Sequence, residues 1–235
     1  MHLQPQKPDT IRTIKHIFPL VLGLFFVSSS HLAFAQSPVA SQEFTVGDYA
    51  EVDVSTSGGR IEVIGKSTTK VTVNAIAYVN GRRSSNANLD NWSITIEEIQ
   101  GKIVAKAEKE SNMGWLRGGN NVRIAFEIET PVNTELNART SGGSVSIENL
   151  SGNQYARTSG GSMDANNIQG NVEMRTSGGA IRLENIEGQA EVATSGGSIR
   201  AKKVTQGLKA RTSGGSLHLQ EISGSLEART SGGSI

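Results

Sequence analysis

The chain carries few residues of the types that most often perform catalysis. It has no cysteine and four histidines, and three of the histidines lie within the first 35 residues, which leaves His218 as the only one beyond them. One histidine without cysteine cannot build the common zinc sites, and a Ser-His-Asp arrangement would have to use His218. The sequence therefore argues against zinc-dependent and serine-nucleophile chemistry.

Arginine is the charged residue with the most regular spacing. From Arg139 an arginine returns at a constant interval, with Ala193 in its place once, and a glutamate often lies two positions before it. Residues two apart on a strand share a face, so these glutamates moderate the repulsion between stacked arginines. In one unit Lys209 takes the place of the glutamate. The candidate polyanion-binding surface consists of Arg157, Arg175, Arg211, Arg229, Lys202 and Lys209.

Other predicted ligand contacts and functions have less support in the sequence. Trp115, within a glycine-rich loop, is the best aromatic candidate for a ligand contact, although it could instead pack on a sheet edge. A polysaccharide-cleaving β-helix would need clustered acids, whereas the regular units hold one aspartate, Asp164, and their glutamates are separated or lie beside arginine. An ice-binding solenoid would need wide threonine faces, and each unit offers one ladder threonine. We keep the enzyme and the ice-binding protein as alternatives.

The elements that position these residues are set by an internal repeat. Thr-Ser-Gly-Gly begins at six evenly spaced positions, and a seventh, unphased copy begins at Thr56. A fixed period of this length is typical of solenoids and arrays. The six phased copies begin at Thr140, Thr158, Thr176, Thr194, Thr212 and Thr230.

Within each unit, apolar residues recur at five positions, counted with Arg139 as position 1. These are positions 7, 9, 12, 16 and 18, which in the third unit are Ile181, Leu183, Ile186, Ala190 and Val192. Two short alternating stretches predict two strands per unit, separated by turns at Gly-Gly and near a second glycine. An antiparallel meander is the rival fold, but no helix or second sheet is available to cover its apolar face. We therefore predict an all-β protein, a parallel β-solenoid (single-stranded β-helix) with 18-residue coils.

The rest of the chain divides into three segments before the repeats. Residues 1–35 have a basic start, a short apolar run and Ala33-Phe34-Ala35, the pattern of a cleaved signal peptide. Residues 36–43 are a short leader, and residues 44–138 alternate irregularly, as a β-rich N-terminal part continuous with the solenoid. Residues 139–235 hold the regular repeats. Because the sequence stops at Ile235, seven residues into a unit, we expect either truncation or self-association through an open edge.

The Arg-Thr-Ser-Gly-Gly-Ser-Ile phrase resembles the exported bacterial putative-adhesin family, a domain of unknown function with β-strand repeats. Thr56-Ser-Gly-Gly-Arg-Ile-Glu-Val63 and Thr130-Pro131 match it too, so the resemblance covers about residues 44–235. It implies an envelope-associated β-solenoid and supplies no active-site motif.

The expected function is non-enzymatic binding at the cell envelope, as an adhesin or interaction scaffold. Without residues 1–35 the chain has 20 Lys and Arg against 21 Asp and Glu, so global charge gives no reason to expect nucleic acid. The expected partner is an envelope or surface ligand, such as an anionic polysaccharide or lipid, with no cofactor and no metal. The signal peptide predicts the periplasm, the cell surface or secretion.

Overall fold

The computed structural model describes residues 37–110 and 121–235. This part of the chain is all β, as predicted, and contains no helix, hence none long and apolar enough to cross a membrane. The predicted signal peptide lies outside the described residues, and the first strand begins at Ala40, inside the segment predicted as a leader. The strands before the first regular unit are β1 (Ala40–Thr45), β2 (Tyr49–Thr56), β3 (Ile61–Lys66), β4 (Lys70–Val79), β5 (Arg82–Arg83), β6 (Trp92–Ile99), β7 (Lys102–Lys109), β8 (Val122–Pro131) and β9 (Asn133–Thr140).

The regular units follow with one longer and one shorter strand each. The longer strands are β10 (Val145–Ser151), β12 (Met163–Gln169), β14 (Ile181–Glu187), β16 (Ile199–Val204) and β18 (Leu217–Ile222). The shorter strands are β11 (Gln154–Arg157), β13 (Val172–Arg175), β15 (Ala190–Ala193), β17 (Leu208–Arg211) and β19 (Leu226–Arg229).

Successive units pair in parallel, each strand with the equivalent strand of the next unit. In the long-strand ladder, β10 to β18, Val145 pairs with Met163 and Met163 with Ile181, so the register joins equivalent positions of neighbouring units. In the short-strand ladder, β9 to β19, Ala156 pairs with Met174 and Met174 with Val192. Because no antiparallel pair joins consecutive units within the described repeats, the antiparallel meander is wrong for residues 139–235.

In the first four units the predicted inward positions are all buried and form one core, whereas in the last units Leu226 and Ile235 are exposed. Ile181, Leu183 and Ile186 on the long strand are 1%, 1% and 0% exposed, and Ala190 and Val192 on the short strand are also buried. Full burial of one isoleucine or leucine side chain stabilises a fold by about 1.5–3 kcal/mol. Stacking the same class of residue on itself in every successive unit therefore supplies the driving force that single units lack.

A bend divides each longer strand. Asn149, Asn167 and Asn185 adopt φ of 58°, 56° and 54°, and the equivalent Lys203 and Glu221 adopt the same conformation. Asparagine tolerates this left-handed region better than most residues, which explains its recurrence at this bend.

The Thr-Ser-Gly-Gly turns stack tightly on one another. Each threonine is buried or half-buried, and its Oγ1 donates to the carbonyl of the second glycine in the preceding turn, over 2.8–3.0 Å. The same Oγ1 accepts from the amide of its own turn's second glycine, as between Thr176 and Gly179 at 3.3 Å. The threonine ladder is therefore structural.

The Thr-Ser-Gly-Gly copy at Thr56 is out of phase in the sequence, but in the structure it stacks in register with the regular turns. Thr56 pairs with Thr140 where β2 meets β9, and Ile61 pairs with Val145 where β3 meets β10. Thr140 Oγ1 donates to the carbonyl of Gly59 at 2.9 Å, the same bond that links later turns. The first Thr-Ser-Gly-Gly phrase thus forms the layer directly beneath the regular units, although many residues intervene.

The N-terminal part departs from a purely parallel coil. β7 and β8 add one further parallel strand to each ladder, but β1 and β4, β4 and β8, and β6 and β7 pair antiparallel. The prediction of an irregular β segment over residues 44–138 gives no strand directions, because alternation reports burial on one face and carries no information on strand direction.

Candidate binding surface

The short-strand ladder presents three columns of outward side chains. Outward residues alternate with inward ones, so positions 15, 17 and 1 of each unit line up across the strands. The amide column is Asn153, Asn171, Gln189, Gly207 and Ser225, the acidic column is Tyr155, Glu173, Glu191, Lys209 and Glu227, and the arginine column is Arg139, Arg157, Arg175, Ala193, Arg211 and Arg229.

Most of the arginine column is paired with the acidic column. Arg175 Nε donates to Glu173 at 2.8 Å and its guanidinium also meets Glu191 at 3.2 Å. Glu227 receives Arg211 at 2.6 Å and Arg229 at 3.1 Å. The Arg211 hydrogen bond is the main reason that the pKa of Glu227 lies below its ordinary value. These three arginines therefore have much of their charge balanced by neighbours on the same face.

Two arginines at the other end of the column are less well balanced. Arg139 lies 3.9 Å from Asp53 and 5.8 Å from the centre of the Tyr155 ring. Arg157 is exposed and makes no ion pair with any described residue. The two pair in register where β9 meets β11. They line a shallow depression of about 260 Å³ with Ser55, Ser57, Ser141, Ser159 and Glu108.

The remaining predicted residues do not join this pair. Lys209 lies in the acidic column, with its ammonium 3.1 Å from Glu191. Lys202 lies on β16 in the long-strand ladder, close to Arg200 in sequence and on a different sheet face from the arginine column. Trp115 lies outside the described residues. The structure therefore brings Arg157, Arg175, Arg211 and Arg229 into one column and places Lys202 elsewhere.

The first part of the amide column is hydrogen-bonded from residue to residue. Asn153 Nδ2 donates to Glu135 at 3.4 Å, Asn171 Nδ2 donates to Asn153 Oδ1 at 3.1 Å, and the backbone amide of Gln189 donates to Asn171 Oδ1 at 3.3 Å. These bonds hold the side-chain amides of Asn153 and Asn171 in defined orientations, whereas Gln189 joins the row through its backbone.

A groove runs between the amide and acidic columns. Its volume is about 600 Å³, and it crosses β11, β13, β15, β17 and β19 from Asn153 and Tyr155 to Ser225 and Glu227. A smaller depression of about 210 Å³ shares Asn153 and Tyr155 and reaches Glu51 and Lys102. The Lys102–Glu51 hydrogen bond, 2.5 Å long, raises the pKa of Lys102.

The described residues show no constellation of catalytic type. His218 is exposed on the outer face of β18, and no three His, Cys, Asp or Glu side chains come together as metal ligands would.

Sequence reasoning missed part of this surface. The predicted candidate residues include neither Arg139, the first unit position, nor Tyr155 nor the amide column. The amides did carry a signal, since Asn153, Asn171 and Gln189 recur with the period of the repeat, two positions before the acidic column.

Comparison with known proteins finds similar structures but no similar sequences. No family model and no curated protein sequence matches. A putative adhesin from Bacteroides fragilis NCTC 9343 is 13% identical with a TM-score of 0.46, over 83% of this chain and 96% of that one. A putative lipid binding protein from Parabacteroides distasonis ATCC 8503 is 20% identical with a TM-score of 0.34, over 86% and 98%. A putative adhesin from Parabacteroides merdae ATCC 43184 is 12% identical with a TM-score of 0.34, over 86% and 97%. Two of these three similar structures are named putative adhesins and one a putative lipid binding protein.

Proposed function

We propose that the protein is an exported, non-catalytic binding scaffold of the cell envelope, built as a parallel β-solenoid. Two parallel ladders with an 18-residue register, joined by one apolar core and by stacked turns, support the solenoid. Such a rod holds its outer columns at fixed spacing. The protein therefore loses little conformational entropy when a ligand contacts several units at once. Proteins of similar structure carry names of the same broad kind, adhesin and lipid-binding protein.

The ligand we propose is an anionic polymer or surface, either an acidic polysaccharide or an anionic lipid headgroup layer. The observation that carries this proposal is the register pair Arg139 and Arg157, two guanidinium groups on adjacent strands with little compensating charge. Arginine binds carboxylate and phosphate oxygens in a planar, two-pronged fashion. Ser141 and Ser159 line the same depression and offer hydroxyl donors beside the pair. Glu108 on the rim opposes an anion there, so the affinity of one such site is expected to be modest.

Export is part of the same proposal. Residues 1–35 carry the signal-peptide pattern, and a binding scaffold for envelope polymers must reach them. Expression of the full chain in a bacterial host, followed by fractionation and N-terminal sequencing of the product, tests this step. A mature start at Gln36 in an exported fraction supports it, whereas an unprocessed chain in the cytosol contradicts it.

A pair of double variants tests the ligand. Arg139→Gln with Arg157→Gln removes the unbalanced charges, and Arg175→Gln with Arg211→Gln removes the same net charge from the ion-paired part of the column. Binding to alginate and to phosphatidylglycerol vesicles is measured at low and high salt. We expect the first variant to lose binding, the second to retain most of it, and salt to weaken the parent steeply. Equal loss in both variants would show that total charge, and not this site, governs binding.

A further inference from the structure

The groove between the amide and acidic columns differs from the arginine column in its chemistry. It crosses five strands, and at the normal strand spacing of ~4.8 Å four intervals give it a length of about 19 Å. Toward β17 and β19 the amide column ends in Gly207 and Ser225, which bring no side-chain amide to the groove. It is therefore an elongated channel, suited to a chain molecule that lies across the strands.

The acidic wall of the groove offers hydrogen-bond acceptors that are held in place. In Glu173, Glu191 and Glu227 the contacts to arginine and lysine use Oε1, as in the 2.8 Å bond from Arg175 to Glu173. Oε2 of each carboxylate makes no hydrogen bond within the described residues. The ion pairs thus anchor each carboxylate on the arginine side while one oxygen stays available.

The amide wall offers donors and acceptors at the same spacing. Gln189 uses its backbone amide to reach Asn171, and its side-chain amide makes no hydrogen bond with the described residues. The hydroxyl of Tyr155, at one end of the groove, is likewise without a partner in the described part of the chain. Amides and carboxylates in rows, with a tyrosine hydroxyl, match a ligand whose groups both donate and accept hydrogen bonds.

We propose that this groove binds an extended, uncharged polysaccharide chain through its hydroxyl groups. A polyanion is disfavoured because three carboxylates line one wall and only Lys209 among the groove residues is cationic. An added β-strand is disfavoured because β11 to β17 are flanked on both sides, so their backbone groups are already paired in the ladder. A pyranose ring in an extended chain is about as long as one strand spacing, so successive sugars can meet successive strands.

The proposal places two chemistries side by side on one face. It shares the binding scaffold of the proposed function but needs neither Arg139 nor Arg157. Salt separates the two, because hydrogen bonds to an uncharged chain are little affected by screening, whereas contacts to a polyanion weaken.

A matched pair of variants tests the groove. Asn171→Ala with Gln189→Ala removes two exposed amides from the groove, and Asn166→Ala with Gln220→Ala removes the same residue types from the outer face of the long-strand ladder. The purified protein is passed over immobilised hydroxyethyl cellulose, galactomannan and dextran at low and high salt. We expect the parent to bind at least one of these at both salt concentrations, the groove variant to bind about tenfold or more weakly, and the control variant to match the parent.

Three results would overturn the proposal: no binding to any of the three polymers, binding that disappears at high salt, or equal loss in the two variants. Circular dichroism melting of both variants checks that each is folded. Alginate binding by the same samples separates this proposal from the previous one, since the groove variant keeps the arginine pair and Arg139→Gln with Arg157→Gln keeps the groove.

Discussion

The two glycines of each Thr-Ser-Gly-Gly turn are expected to differ sharply in their tolerance of alanine. At Gly179 an added Cβ would lie 1.9 Å from the carbonyl oxygen of Gly161 in the preceding turn, whereas at Gly178 the nearest atom would be 3.7 Å away. Neither residue needs a left-handed backbone, so the difference is one of space alone. Gly179→Ala must therefore separate two turns that Gly178→Ala leaves in contact.

The size of the effect follows from the bonds between those turns. Restoring an ordinary contact of 3.4 Å requires an opening of about 1.5 Å at a close-packed site. That movement breaks two backbone bonds to the Ser159 carbonyl and the Thr176 bond to Gly161. At about 1 kcal/mol each, the loss is about 3 kcal/mol. With 2–4 °C per kcal/mol for a domain of this size, Tm falls by roughly 6–12 °C.

Thermal unfolding followed by far-ultraviolet circular dichroism measures both variants under identical conditions. Gly178→Ala should stay within about 1 kcal/mol of the parent, and the lower entropy of its unfolded chain favours a small gain. Equal Tm values for the two variants would refute the close stacking of the turns and, with it, the structural explanation of the Gly-Gly pair.

Three other predictions concern single residues of the repeat units. Ile181→Asp should be severely destabilising, since it buries an unpaired carboxylate at a site 1% exposed, and a melting temperature within a degree of the parent would contradict the inward assignment. Lys203→Asn should raise the free energy of unfolding in chemical denaturation by about 0.5–1 kcal/mol, because Lys203 has φ of 58° where three other units have asparagine. An unchanged free energy would show that the left-handed backbone is not the reason for asparagine at this bend. The hydrogen bond from Arg211 lowers the pKa of Glu227. The ionised Glu227 carboxylate therefore contributes to folding stability above its ordinary pKa of 4.5, and this contribution is lost as pH falls through the lower pKa of the folded state. Glu227→Gln should therefore flatten the acid side of the Tm–pH curve, and an unchanged curve would contradict the pairing.

The sequence was sufficient to predict which repeat positions stack, because each unit pairs in parallel with an equivalent unit. Under that condition position 7 in one unit must contact position 7 in the next, so the inward positions could be assigned from spacing alone, as Ile181 and Ile199 illustrate. The role of the second glycine could not be found in this way. A turn glycine is ordinarily explained by positive φ, and at Gly179 the reason is instead the distance to the neighbouring coil.

The antiparallel strands and the candidate surface were harder to predict from the sequence, because the repeat does not determine them. Pairing of β4 with β8 depends on contacts between segments that share no repeated sequence, and alternation alone does not give strand direction. The candidate surface was chosen by charge, which identified the arginine column but not how much of it is neutralised. Lys202 and Lys209 are close in the sequence, but the turn between β16 and β17 places them on different ladders.

The departures from the repeat on the outer face are best explained by electrostatics. A column of identical charges at strand spacing is destabilising. Lys209 stands between Glu191 and Glu227, and Ala193 stands between Arg175 and Arg211, so each departure interrupts a row of like charges. Restoring the repeat with Lys209→Glu should place a fourth carboxylate in register with Glu173, Glu191 and Glu227 and remove the 3.1 Å contact to Glu191. Since these side chains are largely solvated, we expect a loss of about 0.2–1 kcal/mol that shrinks as salt is added. A loss that is independent of salt would mean that Lys209 acts through packing of its side chain, and the electrostatic explanation of the interrupted column would then fail.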